Sequence, residues 1–331
     1  MANTMINWLA TALEKASGST PKKQTAVSTP YPAGFPASEQ GGNREVFDPA
    51  LQHFARGFRL TDPVFESDAD ASRWHRARRD VIRHLIGVVS RLPQSANLVL
   101  RGSLLLTAWL GDDAREPGDM DWVIVPETVD VSDEFASALM GDIVLAATAK
   151  PLVSEAVLLS AQIAQDPIWL YDRAPGTRLV FPWQVDGLPV GTVQMDFVFN
   201  ETLRTPPAPV VLPYPWSDGK PVLAASPQES LAWKILWLET DAYTQGKDIY
   251  DATLLAERVA LPWDLLHSVL LTDEWYRSHR QTAPLLRLTE GRVEWEDFQR
   301  EYPHIVGSAE DWQDRLVDAL AGTFAEREAS R

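Results

Sequence analysis

The sequence predicts an α/β (α+β) fold: a mixed-sheet core flanked by helices, a mainly helical C-terminal part and a flexible N-terminal segment. Three observations carry this. Val193, Met195, Phe197 and Phe199 alternate with Gln194, Asp196 and Val198, the period of a half-buried strand. Trp74, Val81, Leu85, Val88 and Leu92 recur at helical spacing. From Ser226 onward, apolar periodicity and strand-breaking charge leave room for helices only. The expected divisions are a flexible segment over 1–44, a sheet-bearing core over 45–221 and a helical part over 222–331.

In chain order, Ile6, Leu9 and Leu13 suggest a short amphipathic helix, and residues 17–44, rich in Ser, Thr, Pro and Gly, suggest a tether. Asp68 to Leu92 reads as a strong helix with Arg76, Arg79 and Arg83 on its polar side. Asn97 to Arg101 and Met120 to Val125 read as strands. Leu179 to Asp186 and Gly191 to Asn200 read as a hairpin around Gly187-Leu188. Ser132 to Ala147 and Pro151 to Gln165 read as helices. Thr205 to Pro221, with six prolines, reads as an irregular crossing. Ser226-Pro227-Gln228-Glu229 has the form of an N-cap, an initial proline and an acidic first turn. The helix it opens has Leu231, Ile235 and Leu238 as its buried stripe. A last helix is expected over Ala309 to Ala325.

Composition excludes several classes. The chain has 331 residues, 45% of them hydrophobic, enough for a proper core. Cysteine is absent, so disulfides and thiolate chemistry are too, in keeping with a cytoplasmic protein. No apolar run reaches the roughly 20 residues that span a bilayer. P-loop, dinucleotide-binding, zinc-protease and nucleophile-elbow motifs are missing.

The chemistry concentrates in acids. Asp119 and Asp121 stand two apart at the head of a strand, so both carboxylates point to one side. Oxygen-only ligation of that kind suits Mg²⁺ or Mn²⁺. Asp196, mid-strand, is a residue type that strands disfavour and burial penalises unless it has a partner. Lys234 lies at the edge of its helix's apolar stripe, where an ammonium either snorkels to water or meets an anion. Asp248 and Asp251 share a face of the next helix, which opens at Gly246-Lys247.

Taken in order, Arg101-Gly102-Ser103, Arg115, Asp119-Met120-Asp121, Asp196, Ser226 to Lys234 and Lys247-Asp248-Ile249-Tyr250-Asp251 resemble the AbiEii/AbiGii toxin family of nucleotidyltransferases, within the polymerase-β-like superfamily. The resemblance covers roughly 80–260. It implies a nucleotidyltransferase core that uses NTP and Mg²⁺ (or Mn²⁺), and a toxin held in check by an antitoxin. Asp119, Asp121 and Asp196 would hold metal, with Asp196 as alternative base. Arg101, Gly102, Ser103, Arg115 and Lys234 would bind the nucleotide, and Asp248 or Asp251 would fix Lys234 or the nucleoside. By the same resemblance the acceptor is RNA, tRNA first. Arg76, Arg79 and Arg83, with Arg73, Arg78, His75 and His84 nearby, are the candidate RNA face.

A net charge of −16 works against phosphate-driven binding. A small cationic molecule or a protein hydroxyl is therefore an alternative acceptor. A non-catalytic module of the same fold is the third reading, although such a module has no physical need for the acid cluster.

Overall fold

The computed structural model describes residues 31–35, 42–170, 174–240, 244–279 and 293–329. The helix expected around Ile6, Leu9 and Leu13 lies outside them. In chain order the elements are β1 (Glu45–Phe47), β2 (Phe58–Leu60), α1 (Asp68–Val89), β3 (Leu98–Arg101), α2 (Ser103–Leu110), β4 (Asp119–Ile124) and α3 (Glu134–Thr148). There follow β5 (Leu152–Val153), β6 (Ala156–Leu158), β7 (Ala164–Leu170), β8 (Ala174–Gln184), β9 (Gly191–Val198), β10 (Ala208–Val210) and β11 (Val222–Ala224). Helices complete the described chain: α4 (Pro227–Thr240), α5 (Gly246–Ala256), α6 (Trp263–Leu270), α7 (Glu274–His279), α8 (Trp295–Glu301), α9 (Ala309–Ala319) and α10 (Ala321–Ala329).

One mixed sheet runs β10-β11-β3-β4-β9-β8-β6-β5, with β7 also paired to β8. Strand β4 lies parallel to β9 and antiparallel to β3, and β8 pairs antiparallel with β9. Alternation sends Leu100, Trp122 and Phe197 to one face, where α1 and α3 cover them with Val81, Leu85 and Ile143. The other face presents Val99, Val123 and Val198 to Leu231, Ile235 and the C-terminal helices. Asp119, Asp121 and Asp196 share that second face, beyond its apolar part.

Four expectations change. Residues 151–165 form β5, β6 and a single 3-10 turn before β7, because the far end of the long β8 needs a partner; Val157 pairs with Gln184 and Leu158 with Trp183. The proline-rich crossing carries an edge strand, β10, where Pro209 lacks an N–H at little cost. Strand β11 then pairs parallel with β3, so the division drawn at 221 falls inside the sheet. Helix α4 is buried on all sides from Glu229 to Glu239, with no polar face for Lys234 to border. Within the expected 17–44 tether, Ala33 and Gly34 donate backbone N–H bonds of 2.6 and 2.8 Å to the Asp166 carboxylate, and Tyr31 stacks on Phe35.

Candidate active site

The strand register sets Arg101, Asp121, Asp196 and Arg178 side by side across β3, β4, β9 and β8. Two acids thus stand between two arginines, with Asp119 two residues from Asp121 on the same face. Gly102 makes this closeness possible. Its φ is 78°, and a Cβ there would overlap the Asp121 carboxylate. The chain then enters α2, whose first residue, Ser103, donates its hydroxyl to Asp119 Oδ1 at 3.2 Å. The unpaired N–H groups of that helix start lie at the β3 end of the acid row.

The acids differ in how they are neutralised. Arg178 grips Asp196 with two bonds of 2.7 Å from Nε and Nη2, and reaches Asp48 with Nη1 at 2.6 Å. Burial raises the Asp196 pKa, and the Arg178 guanidinium offsets part of that rise. Burial also works against the Asp119 carboxylate, but Lys247, Arg115 and Arg59 outweigh it and hold its pKa below the usual value. Asp121 is the exception. Burial, then the charges of Asp119 and Asp196, push its carboxyl up to about 7. Among the described residues its carboxylate accepts no hydrogen bond.

An orphan carboxylate beside a second one is what a divalent ion would satisfy, so Asp119 and Asp121 fit a hard, oxygen-liking cation. The sequence expects Asp196 as a third ligand beside them. Among the described residues no three His, Asp or Glu side chains are arranged to hold an ion, and both oxygens of Asp196 are turned to Arg178.

Of the three cations expected at the nucleotide, two are paired with acids and the third packs between indole rings. Lys234 is 3% exposed and pairs with Asp251 at 3.0 Å and Asp248 at 3.2 Å. Arg115 grips the same fully buried Asp251 at 3.1 to 3.2 Å. Burial opposes each of these charges, yet the pairs outweigh it: the Arg115 and Lys234 pKa values rise and that of Asp251 falls. Arg101 is 2% exposed between the rings of Trp233 and Trp237, at 5.2 and 5.6 Å; its Nε and Nη1 have no hydrogen-bond partner among the described residues, and its charge lowers the Asp121 pKa. The α1 arginines are likewise balanced: Arg73 pairs with Glu155, Arg78 with Asp62, Arg79 with Glu116, and Arg83 with Asp80 and Asp218. Arg76 alone of that helix's arginines lacks a partner among the described residues. A continuous basic face is absent there.

Sequence reasoning missed Arg178, Asp48, Arg59 and Lys247. Lys247 is half-buried at the start of α5, acts on Asp119 and Asp121, and makes no side-chain hydrogen bond or ion pair among the described residues. Its place beside Asp248 was visible; its freedom was not.

The sequence profile described as "Nucleotidyl transferase AbiEii toxin, Type IV TA system" matches residues 83–325. Among solved structures, the chain is similar to MenT4, a nucleotidyltransferase toxin from Mycobacterium tuberculosis H37Rv, with 17% identity and a TM-score of 0.50 over 78% of this chain and 87% of that one. At that identity the likeness is one of fold. Comparison with curated proteins finds no match.

Proposed function

The chain belongs to the AbiEii family of nucleotidyl transferase toxins of type IV toxin-antitoxin systems, and from that premise we propose that it moves a nucleoside monophosphate from an NTP to an acceptor hydroxyl on RNA. The acceptor oxygen bonds to the α-phosphorus, the α–β phosphoanhydride bond breaks, pyrophosphate leaves, and the hydroxyl proton passes to a carboxylate of the acid row. Asp119 and Asp121 would hold Mg²⁺ or Mn²⁺. When bound, such an ion neutralises phosphate charge and orients the leaving group. The N–H groups at the start of α2 face phosphate oxygens, with Lys247 as the nearby point charge. Asp196, fixed by Arg178, borders the attacking hydroxyl. Lys234, Asp248, Asp251 and Arg115 brace the helices against the site and do not touch the nucleotide.

The observation that carries this reading is the Asp121 carboxylate, which stands beside Asp119 and Asp196 and accepts no hydrogen bond among the described residues, while Asp196 is gripped by Arg178. A net charge of −16 favours a second acceptor class, a small cation or a protein hydroxyl. The family description also implies an antitoxin partner, and we place the reaction in the cytoplasm; among the described residues no helix is long and apolar enough to cross a membrane.

Incubation of the full chain with α-labelled NTPs, Mg²⁺ and total RNA tests the proposal. Label is expected on RNA with wild type and at least a hundredfold less with Asp121→Asn, the order that loss of a positioned electrostatic group costs. Label on protein or small molecules alone would establish the second acceptor class. No label anywhere would reject the activity.

A further inference from the structure

The family profile begins at residue 83, yet the chain builds part of its acid face from residues before that point. Strand β2 of the β1–β2 hairpin and residues 32–35 line, together with β8 and β9, a cavity of about 280 Å³ that shares Arg178 with the row and includes Gln194. Gln194 is the register partner of Asp119, and Arg178 holds Asp196, so the cavity begins where the acid row ends.

The charges lining this cavity are unequal. Asp166 is satisfied by the Ala33 and Gly34 N–H groups, and Asp62 by Arg78. Arg178 is taken by Asp196 and Asp48. The Arg59 side chain, on β2 opposite Val46, makes neither a hydrogen bond nor an ion pair among the described residues. In a chain of net charge −16 this leaves one free guanidinium at a cavity that also presents the rings of Phe35, Phe58 and Trp74 and the polar groups of Thr192 and Gln194. A guanidinium suits a phosphate, rings suit a base, and amide and hydroxyl groups suit a sugar. The volume lies just under the roughly 300–1,000 Å³ of ordinary ligand pockets, which is room for one nucleotide unit.

In-line displacement decides which nucleotide. Attacking and leaving oxygens lie on opposite sides of the phosphorus. The phosphate-facing helix start lies at the β3 end of the row, so the leaving pyrophosphate belongs there and the acceptor enters from the β9–β8 end, where the cavity lies.

We propose that hairpin β1–β2 forms an acceptor subsite in which Arg59 grips a phosphate of the RNA end while the cavity takes its terminal nucleotide. This rests on the RNA-acceptor reading above. It also disfavours a cationic acceptor, which a free arginine would repel. Arg59 is a positioning residue for the acceptor and has no part in holding the NTP.

The experiment compares wild type, Arg59→Gln, Arg59→Lys and the cavity-filling Thr192→Trp as full chains, with thermal melts to confirm folding. A labelled single-stranded RNA oligonucleotide is titrated by fluorescence anisotropy across salt concentrations, and the KM for NTP is measured in the transfer assay. Arg59→Gln should bind RNA about tenfold more weakly and flatten the log K against log salt slope by about 0.7, the share of one phosphate contact on a single strand. Arg59→Lys should restore that slope, Thr192→Trp should weaken RNA binding without changing it, and the KM for NTP should hold in all four. Unchanged RNA affinity and slope in Arg59→Gln would overturn the subsite while leaving the transferase reading intact. A raised KM for NTP with unchanged RNA binding would also overturn it, by placing the NTP in the cavity. Wild type that transfers label but binds no RNA would overturn the RNA-acceptor reading and the subsite with it.

Discussion

Two charged clusters lie close together on this molecule and are balanced in different ways. In the first, Arg115, Asp251, Lys234 and Asp248 pair within 3.2 Å, with Asp251 fully buried between two cations. In the second, Asp119, Asp121 and Asp196 carry three acids in adjacent positions, of which only Asp196 is gripped by a guanidinium. The first cluster is paired throughout. The second keeps a carboxylate that accepts no hydrogen bond among the described residues, with Lys247 and Arg59 near and without a hydrogen bond or ion pair there. Charge closed on itself ties elements together, whereas charge left uneven in a partly open face is available for chemistry.

Breaking the closed cluster should have the largest effect on stability. Asp251→Ala leaves Arg115 and Lys234 buried without their shared acid, and removing one partner of a buried pair costs about 3–5 kcal/mol. Urea unfolding should show that loss or yield no folded protein. A variant within about 1 kcal/mol of wild type would mean that solvent or Asp248 replaces Asp251, and the cluster would lose its bracing role.

The two lysines separate the clusters more finely. Lys234→Ala should lower the melting temperature by several degrees and leave NTP affinity unchanged, because its ammonium faces two acids of the closed cluster. Lys247→Ala should do the reverse: stability within about 0.5 kcal/mol of wild type and NTP binding weaker by about 1.5–3 kcal/mol, the range of a charge-assisted hydrogen bond. Calorimetry with NTP on both variants checks this, and the opposite pattern would return Lys234 to the nucleotide.

Much of this site was legible locally. Asp119, Asp121 and Asp196 were placed on strands by alternation, and Gly102-Ser103 at a strand-to-helix turn, because those features depend on near neighbours. Which cation meets which acid was not legible. Arg178 and Asp48 are 130 residues apart in sequence, and nothing near either announces the pair. Lys234 looked like an edge residue because Leu231, Ile235 and Leu238 form a stripe; burial of the whole helix comes from packing on every side. Residues 151–165 show apolar spacing that fits a helix, and the open end of β8 overrode it.

A smaller effect follows from the raised Asp121 carboxyl. Its folded pKa of about 7 lies above the ordinary aspartate value of 3.8, so the folded protein binds more protons than the unfolded chain between those values. That contribution is present below the unfolded pKa and is lost as pH rises through about 7. Relative to Asp121→Asn, wild type should therefore become progressively less stable from about pH 4 to pH 8, and added Mg²⁺ should narrow the gap at the upper end. Melts in a pH series check the sign. A gap that stays constant with pH would show that Asp121 is neutralised by a group other than a metal.

The most direct test of the central claim is a Mn²⁺ titration followed by electron paramagnetic resonance, in which free ion is counted as it is taken up. Wild type and Asp248→Asn should take up Mn²⁺ alike, while Asp119→Asn and Asp121→Asn should lose that uptake, because of the two clusters only the uneven one holds a carboxylate that accepts no hydrogen bond among the described residues. Equal uptake by wild type and Asp121→Asn, or its loss in Asp248→Asn alone, would contradict the account and move the metal away from the acid row.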